Sequence, residues 1–321
     1  MGSFKKGLLV GLKTTWTLGK IIFPITLIVT MIGYTPLLDW LAQILTPIMG
    51  LLGLSGEAAI PLVLGNVLNL YAAIGAILTL DLSVKEVFIL AMMLSFSHNL
   101  FVESAVATKV GIRMSVVLGV RIGLALFSAV VINFFWQGGA ETAEYGFISS
   151  GQTSDVSGWG AVIYQGLESA TLGVFQLALI VIPIMIGIQF MKDLHWLEWF
   201  SKVMSPFTKM LGMKKNTSTT LAAGLVFGLA YGAGVMMQAV KEDGVSKKDL
   251  YLAFIFLVGC HAVIEDTLLF VPLGIPIWPL LLIRLVTAIV LTMIVAFFWN
   301  RLEKKGVVSI EGEKEVSKKA Q

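Results

Sequence analysis

Long apolar runs, each close to the length of a membrane-crossing helix, dominate the chain. A helix needs about 20 apolar residues to cross a bilayer. Eight such segments are predicted, at about 17–34, 58–80, 87–110, 114–136, 161–190, 219–240, 250–271 and 277–299. Residues 36–53 and 193–211 mix apolar and polar positions at helical spacing, which predicts a helix lying in the membrane surface. The pattern therefore indicates an all-α polytopic membrane protein.

The apolar and polar pattern occurs twice along the chain. His98 and His261 lie 163 residues apart, and the same shift holds without a gap over the surrounding segments. Other residues matched by this shift include Glu103 with Asp266, Gly111 with Gly274, and Arg121 with Arg284. Further upstream, a shift of 159 matches Gly65 with Gly224. The predicted organisation is a first repeat at 1–137, a polar linker at 138–158, a second repeat at 159–299 and a charged tail at 300–321.

Lysine distribution predicts how the two repeats are oriented in the membrane. The loop at 35–57 has no Lys or Arg, whereas its counterpart after segment five is rich in lysine. Cytoplasmic loops carry an excess of Lys and Arg, so these matching loops should lie on opposite sides. The basic termini are both expected in the cytoplasm, and the acidic linker is expected outside. Each half then makes an odd number of crossings.

One apolar segment in each half must therefore fail to cross the membrane. Segments two and six are Gly-rich and are the first candidates for re-entrant hairpins. Segments three and seven are the alternative, broken at Ser97-His98-Asn99 and Gly259-Cys260-His261. Either choice predicts inverted-topology repeats with re-entrant or broken helices, a plan found in many secondary transporters. Eight full crossings with parallel halves is the rival arrangement.

Composition narrows the range of functions. The chain is 57% hydrophobic and 13% charged, with a net charge of +3, so nucleic acid is not an expected partner. The single cysteine, Cys260, excludes an intramolecular disulfide. No H-E-x-x-H, G-x-S-x-G or phosphate-loop motif occurs, so no enzymatic activity is predicted. No cofactor is predicted either, and coupling to protons or sodium ions stays open.

Ionisable and polar groups inside the apolar runs are the candidate substrate-binding residues, because such groups are costly in a membrane without a partner, a solute or water. They are His98, Asn99, Glu103, His261, Glu265, Asp266, Asn66, Asn69 and Ser97. A histidine near a carboxylate could carry a coupling proton, since histidine titrates near neutral pH. The structural alternative is a histidine that only holds helices together.

Spacing gives a first expectation for the contacts of these residues. On a continuous helix, His261 and Glu265 are four residues apart and share a face. His98 and Glu103 are five apart and converge only if the helix breaks between them. Asn66 and Asn69 would either bind a solute or join helices.

Two arginines and one cysteine complete the set of candidates. Arg121 and Arg284 are predicted to form structural ion pairs with acids such as Glu103 or Asp266, in preference to binding an anionic solute. No metal site is predicted, although Cys260, beside His261, is a candidate thiolate ligand.

The chain resembles the Gate (nucleoside-recognition) domain superfamily over about 22–136 and 179–299. The residues that carry the resemblance are Gly65-Asn66, Ser97-His98-Asn99, Gly259-Cys260-His261, Gly111 and Gly274. The superfamily includes the pore domains of ferrous-iron transporter B proteins, segments related to concentrative nucleoside transporters, and spore-maturation proteins A and B. The resemblance implies a paired, membrane-embedded domain that transports or recognises a small solute.

The leading hypothesis is a transporter or permease-like protein for a small polar solute, nucleoside-like or a small organic acid. Its site would lie where the two repeats meet. Transport of a divalent metal cation and a non-transporting membrane scaffold of the sporulation type are the alternatives. The expected location is the bacterial cell (inner) membrane, with the lipid bilayer and a small solute as partners and homo-oligomer formation left open.

The predicted topology can be tested with single cysteines at Thr35, Gly151 and Lys209 in a Cys260→Ser background. An impermeant maleimide applied to intact cells should label the cysteines at Thr35 and Gly151 but not the one at Lys209, because only the first two positions are expected outside. Labelling of all three positions would contradict the inverted arrangement.

Overall fold

The computed structural model describes residues 2–109, 111–146, 158–242 and 244–305, and its regular elements there are helices. In the first repeat these are α1 (Ser3–Gly33), α2 (Pro36–Leu51), α3 (Ala59–Val67), α4 (Leu70–Ile77), α5 (Val84–Ser97), α6 (Leu100–Lys109) and α7 (Met114–Phe135). In the second repeat they are α8 (Trp159–Asp193), α9 (Trp196–Met210), α10 (Ser218–Glu242), α11 (Lys247–Gly259), α12 (Val263–Leu269) and α13 (Ile277–Lys304). Residues 147–157 of the predicted linker and 306–321 of the predicted tail lie outside the described residues.

Six stretches of the described chain are long and apolar enough to cross a membrane, three in each repeat. They are Ser3–Gly33, Val84–Lys109, Met114–Phe135, Trp159–Asp193, Lys247–Leu269 and Ile277–Lys304. Three candidate spans in each repeat fit the predicted odd number of crossings, and the inversion of the second repeat relative to the first stays a prediction. Segments two and six are absent from this set, so the described residues do not favour the rival arrangement of eight full crossings.

The predicted interruptions occur in both pairs of candidate segments. Segment two is divided into α3 and α4, and segment six is broken inside α10 at Gly228, which has φ 73°. Segments three and seven are also broken, between α5 and α6 and between α11 and α12. In these two broken spans 83% of the most apolar window is buried, against 28–33% in the other four. The irregular backbone of these two candidate spans is thus enclosed by protein, as a lipid environment requires.

The helices form two compact units that do not coincide with the two repeats. Unit 1 comprises Met1–Phe101, Arg121–Leu194 and Ile264–Leu282, and unit 2 comprises Val102–Val120, His195–Val263 and Ile283–Gln321. The chain changes unit just after each break in segments three and seven. Each unit therefore contains the short helix that follows the break of the other repeat.

Unit 1 is built around α1 and α8, the first long helix of each repeat. These helices approach closely at glycines, since a Cβ placed on Gly7 would lie 2.6 Å from the Cα of Ile186. The start of the linker belongs to the same unit. There the amide of Val84 donates to the carbonyl of Glu141, and that of Gly146 to the carbonyl of Pro272. Burial raises the pKa of the Tyr145 phenol in this segment above its ordinary value.

Both repeats place an amphipathic helix after their first span, as predicted. In unit 1, α2 exposes a set of large apolar side chains, namely Leu37, Trp40, Ile44, Ile48 and Leu51. In unit 2, α9 exposes Trp196, Trp199, Val203, Phe207 and Met210. Matching capping residues also start the next buried helix in each repeat. Ser83 accepts from the amide of Glu86 at α5, and Ser246 accepts from that of Asp249 at α11.

Candidate functional site

The breaks in segments three and seven have the same backbone geometry. Asn99 and Ala262, which the 163-residue shift matches, both adopt left-handed backbone angles, with φ 50° and φ 42°. Such angles are uncommon outside glycine and need support from the surrounding structure. That support includes one hydrogen bond in each unit. The amide of Asn99 donates to the Gly65 carbonyl at 2.7 Å in unit 1, and that of Ala262 donates to the Gly224 carbonyl at 3.2 Å in unit 2.

Glycine is required at both accepting positions because the helices cross very closely there. A Cβ on Gly65 would lie 2.3 Å from a methyl carbon of Leu94, and one on Gly224 would lie 2.4 Å from a methyl carbon of Leu257. Both leucines are fully buried. The close crossing brings each glycine carbonyl within reach of the break. This explains why Gly65 and Gly224 match between the repeats.

The two buried histidines occupy equivalent positions beside these breaks. His98 Nδ1 lies 2.7 Å from the Leu94 carbonyl, and His261 Nδ1 lies 2.8 Å from the Leu257 carbonyl. A carbonyl oxygen can only accept, so Nδ1 carries the hydrogen in both rings. In each neutral ring Nε2 is therefore the atom left to accept a hydrogen bond or take up a proton.

Each histidine lies near the acid of the other repeat within its own unit. In unit 2, His261 Nε2 is 3.2 Å from Glu103 Oε2, and both side chains are buried. In unit 1, His98 and Asp266 place ligand atoms within 4.8 Å of one another, also buried. The expectation that His261 and Glu265 share a face of one continuous helix does not apply, because the helix breaks between them. Most of α6, which carries Glu103, lies in unit 2, and most of α12, which carries Asp266, lies in unit 1. Each short helix therefore brings its acid to the histidine of the other repeat.

Arg121 and Arg284 are fully buried and contact backbone carbonyls at the breaks. Arg121 Nε donates to the Phe96 carbonyl at 2.8 Å, and its Nη2 donates to the His98 carbonyl. Arg284 Nη2 donates to the His261 carbonyl at 2.9 Å. Carbonyls at the end of a helix lack intrahelical partners, and a buried guanidinium provides several donors for them. The predicted ion pairs with Glu103 or Asp266 stay a prediction.

A further buried pair, in unit 1, was not predicted from the sequence. Tyr71, on α4, donates its hydroxyl hydrogen to Glu265 Oε1 at 2.5 Å. Glu265 lies on α12 and is 7% exposed. Tyr71 and Glu265 are 194 residues apart, and no sequence spacing indicates their contact. The shifts that relate the repeats match them with Ala230 and Val102, which cannot form such a pair.

The remaining polar candidates form local hydrogen bonds. Asn69 caps α4 by accepting from the amide of Ala72 at 2.9 Å, and Gly228 stands at the matching position of the second repeat. Asn66 Nδ2 donates to the Leu62 carbonyl at 2.7 Å. Ser97 donates to the Met93 carbonyl at 2.8 Å. A solute-binding role for these three side chains stays a prediction.

Cys260 is fully buried and adjacent to His261 in unit 2. Glu265 and Asp266, the acids considered with them as metal ligands, belong to unit 1. Neither unit by itself therefore contains a cysteine, a histidine and one of these two acids.

Replacing Arg121 by lysine tests the role of the arginines at the breaks. Arg121→Lys should lower the free energy of unfolding by about 1–3 kcal/mol, because a single ammonium cannot reproduce the two directed N–H donors and leaves a buried carbonyl poorly paired. Arg284→Lys should act in the same direction, whereas the exposed Arg113→Lys should have little effect. Unfolding in mixed detergent micelles measures all three variants, and equal stabilities would contradict this role.

Comparison with known proteins agrees with the repeated architecture. The family described as Gate (nucleoside recognition) matches residues 15–117 and 174–275, one stretch in each repeat. The chain is 64% identical over 304 residues to the uncharacterized membrane protein YvoD of Bacillus subtilis (strain 168), an alignment that covers 95% of this chain and 97% of the relative. No solved structure matches the chain. The resemblance drawn from the sequence is confirmed, and the chain belongs to the Gate (nucleoside recognition) family of membrane proteins.

Proposed function

We propose that this membrane protein is a permease that moves a small polar organic solute through a site formed by both repeats. The observation that carries the proposal is the pairing of each buried histidine with the acid of the other repeat. A histidine and a carboxylate inside apolar spans are costly, and such groups mark solute and ion pathways in membrane proteins. Their occurrence at matched helix breaks fits the broken-helix sites of inverted-repeat transporters.

The chemistry around the breaks favours an organic solute over a metal cation. Carboxylates, imidazoles and the amide of Asn99 offer hydrogen-bond acceptors and donors of several kinds. The buried guanidinium groups of Arg121 and Arg284 repel a cation in surroundings where water screens poorly. A nucleoside-like solute or a small organic acid suits these groups best. We propose no enzymatic reaction and no nucleic-acid partner.

The non-transporting alternative is a membrane scaffold whose polar core only fixes helix packing. Arg121 and Arg284 give this alternative some support, since both contact backbone carbonyls and could act purely in folding. Solute binding separates the two possibilities. We further propose a bacterial cell (inner) membrane location, with both termini in the cytoplasm.

A thermal-shift screen against nucleosides, small carboxylates and divalent metals should find an organic ligand that raises the melting temperature, because a ligand that binds only the folded state stabilises it. In proteoliposomes, uptake of that ligand should fall at least about tenfold in His98→Gln and His261→Gln, the loss expected when roughly 1.4 kcal/mol of interaction is removed.

His195→Gln is the matched control, since His195 is exposed and should tolerate the change without loss of uptake. Folded yield is measured for all three variants. Normal yield with normal uptake in His98→Gln and His261→Gln would refute the site assignment. A response to metals alone that Cys260→Ser abolishes would refute the organic solute.

A further inference from the structure

The two amphipathic helices match in their exposed apolar residues but differ in charge. The shift of 159 residues relates α2 to α9, and the five large apolar side chains that each helix exposes stand at matched positions. Residues 196–215 contain four lysines and one acid, Glu198, a net charge of +3. The matched residues 37–56 contain no Lys or Arg and one acid, Asp39, a net charge of −1. A property that the lysines supply is therefore expected at α9 and not at α2.

Helix α9 presents three faces of different character. One face packs on the core of unit 2 through Leu197, Phe200 and Met204. A second face carries the five exposed apolar residues, whose three- and four-residue spacing places them on one side of the helix. The third face carries Lys202 and Lys209, which are exposed and lie seven residues apart, or about two helical turns. The apolar and basic faces are thus both available to a partner outside the chain.

Two further lysines follow directly after the last turn of α9. The amide of Met213 donates to the Thr208 carbonyl at 2.8 Å, and the amide of Lys214 donates to Asp249 Oδ1 at 3.3 Å. These bonds hold the backbone of the turn against unit 2, while the side chains of Lys214 and Lys215 are exposed. Among the described residues, no ion pair engages the four lysine side chains of α9 and this turn.

The combination of an exposed apolar face and a basic face fits the surface of an anionic bilayer. A helix divided in this way lies in the interface with its apolar face among the acyl chains and its lysines at the headgroups. Trp196 and Trp199 belong to the apolar face, and tryptophan is enriched at membrane interfaces. Lysine extends its apolar stem along the lipid while its ammonium group stays at the headgroup level. A soluble acidic partner would match the lysines but would leave the apolar face in water.

We propose that α9 and the turn after it bind the headgroups of anionic phospholipids in the surrounding bilayer. The binding surface consists of the exposed apolar face of α9 together with Lys202, Lys209, Lys214 and Lys215. Each lysine near an anionic surface strengthens the attraction roughly fivefold, whereas a zwitterionic headgroup with no net charge gives no such gain. The matched surface of α2 has no lysine and does not select anionic lipid. This selectivity does not depend on whether the protein transports a solute.

Local lipid composition can be measured with one fluorophore on each helix. Met210→Cys and Leu51→Cys, made separately in a Cys260→Ser background, place a bimane label at matched exposed positions of α9 and α2. Each labelled protein is reconstituted in nanodiscs that contain brominated phosphatidylglycerol or brominated phosphatidylcholine at the same low mole fraction. The ratio of the two quenching efficiencies reports local enrichment of the anionic lipid. Both leaflets have the same composition, so the orientation of the protein does not affect the result.

The ratio at Met210→Cys should exceed that at Leu51→Cys by about threefold or more, since several lysines contribute roughly fivefold each. Changing Lys202, Lys209, Lys214 and Lys215 together to Gln should lower the ratio at Met210→Cys to that of α2. A control variant with the same loss of net charge should leave it unchanged. It carries Gln at four exposed lysines elsewhere, namely Lys5, Lys6, Lys304 and Lys305.

Equal ratios at the two labelled positions would overturn the proposal. An unchanged ratio in the fourfold α9 variant would overturn it too, because the lysines would then not select the lipid. An equal fall in the control variant would show that net charge acts in place of this surface, and would also contradict it. If the fourfold variant does not fold, the double variant Lys202→Gln, Lys209→Gln decides, and an undiminished ratio there refutes the assignment.

Discussion

Backbone polar groups that lose their helical partners inside a membrane must find new ones, and this constraint governs the construction of the site. Segments three and seven both break inside a stretch that is long and apolar enough to cross a membrane. The amide after each break donates to a glycine carbonyl, while an arginine takes the carbonyls before it. Unsatisfied groups of this kind cost several kcal/mol each in hydrocarbon. Gly65, Gly224, Arg121 and Arg284 are thus explained by the need to satisfy the breaks.

The breaks have a second consequence, which is the exchange of short helices between the two units. The chain changes unit three residues after His98 and two residues after His261. Glu103 and Asp266 therefore lie in the unit of the other repeat's histidine. A polar site built in this way depends on both repeats, since neither supplies a complete pair within its own unit. This arrangement is consistent with transport through a site to which both repeats contribute side chains.

Much of the architecture could be predicted because periodicity and lysine content are local properties of a sequence. The repeats, the amphipathic helices and the interrupted segments all follow from such properties.

The direction of the chain after a break cannot be predicted in this way, because it is set by packing with distant helices. For that reason the pairing of His261 with Glu103 and of Tyr71 with Glu265 was not specified, although the histidines themselves were identified. The contact of Arg121 with carbonyls was missed because charge pairing dominates expectations for a buried arginine. Asn69 was considered for solute binding or helix association, whereas its side chain caps α4.

A double-mutant cycle on His261 and Glu103 tests most directly whether the site is formed by pairs between repeats. The free energy of unfolding is measured for His261→Gln, Glu103→Gln and the double variant, with the exposed pair His195 and Glu198 as reference. A direct buried contact predicts a coupling energy of about 0.5–3 kcal/mol for His261 and Glu103, and near-additive effects for the reference pair. Additive effects at His261 and Glu103 would contradict the pairing between repeats.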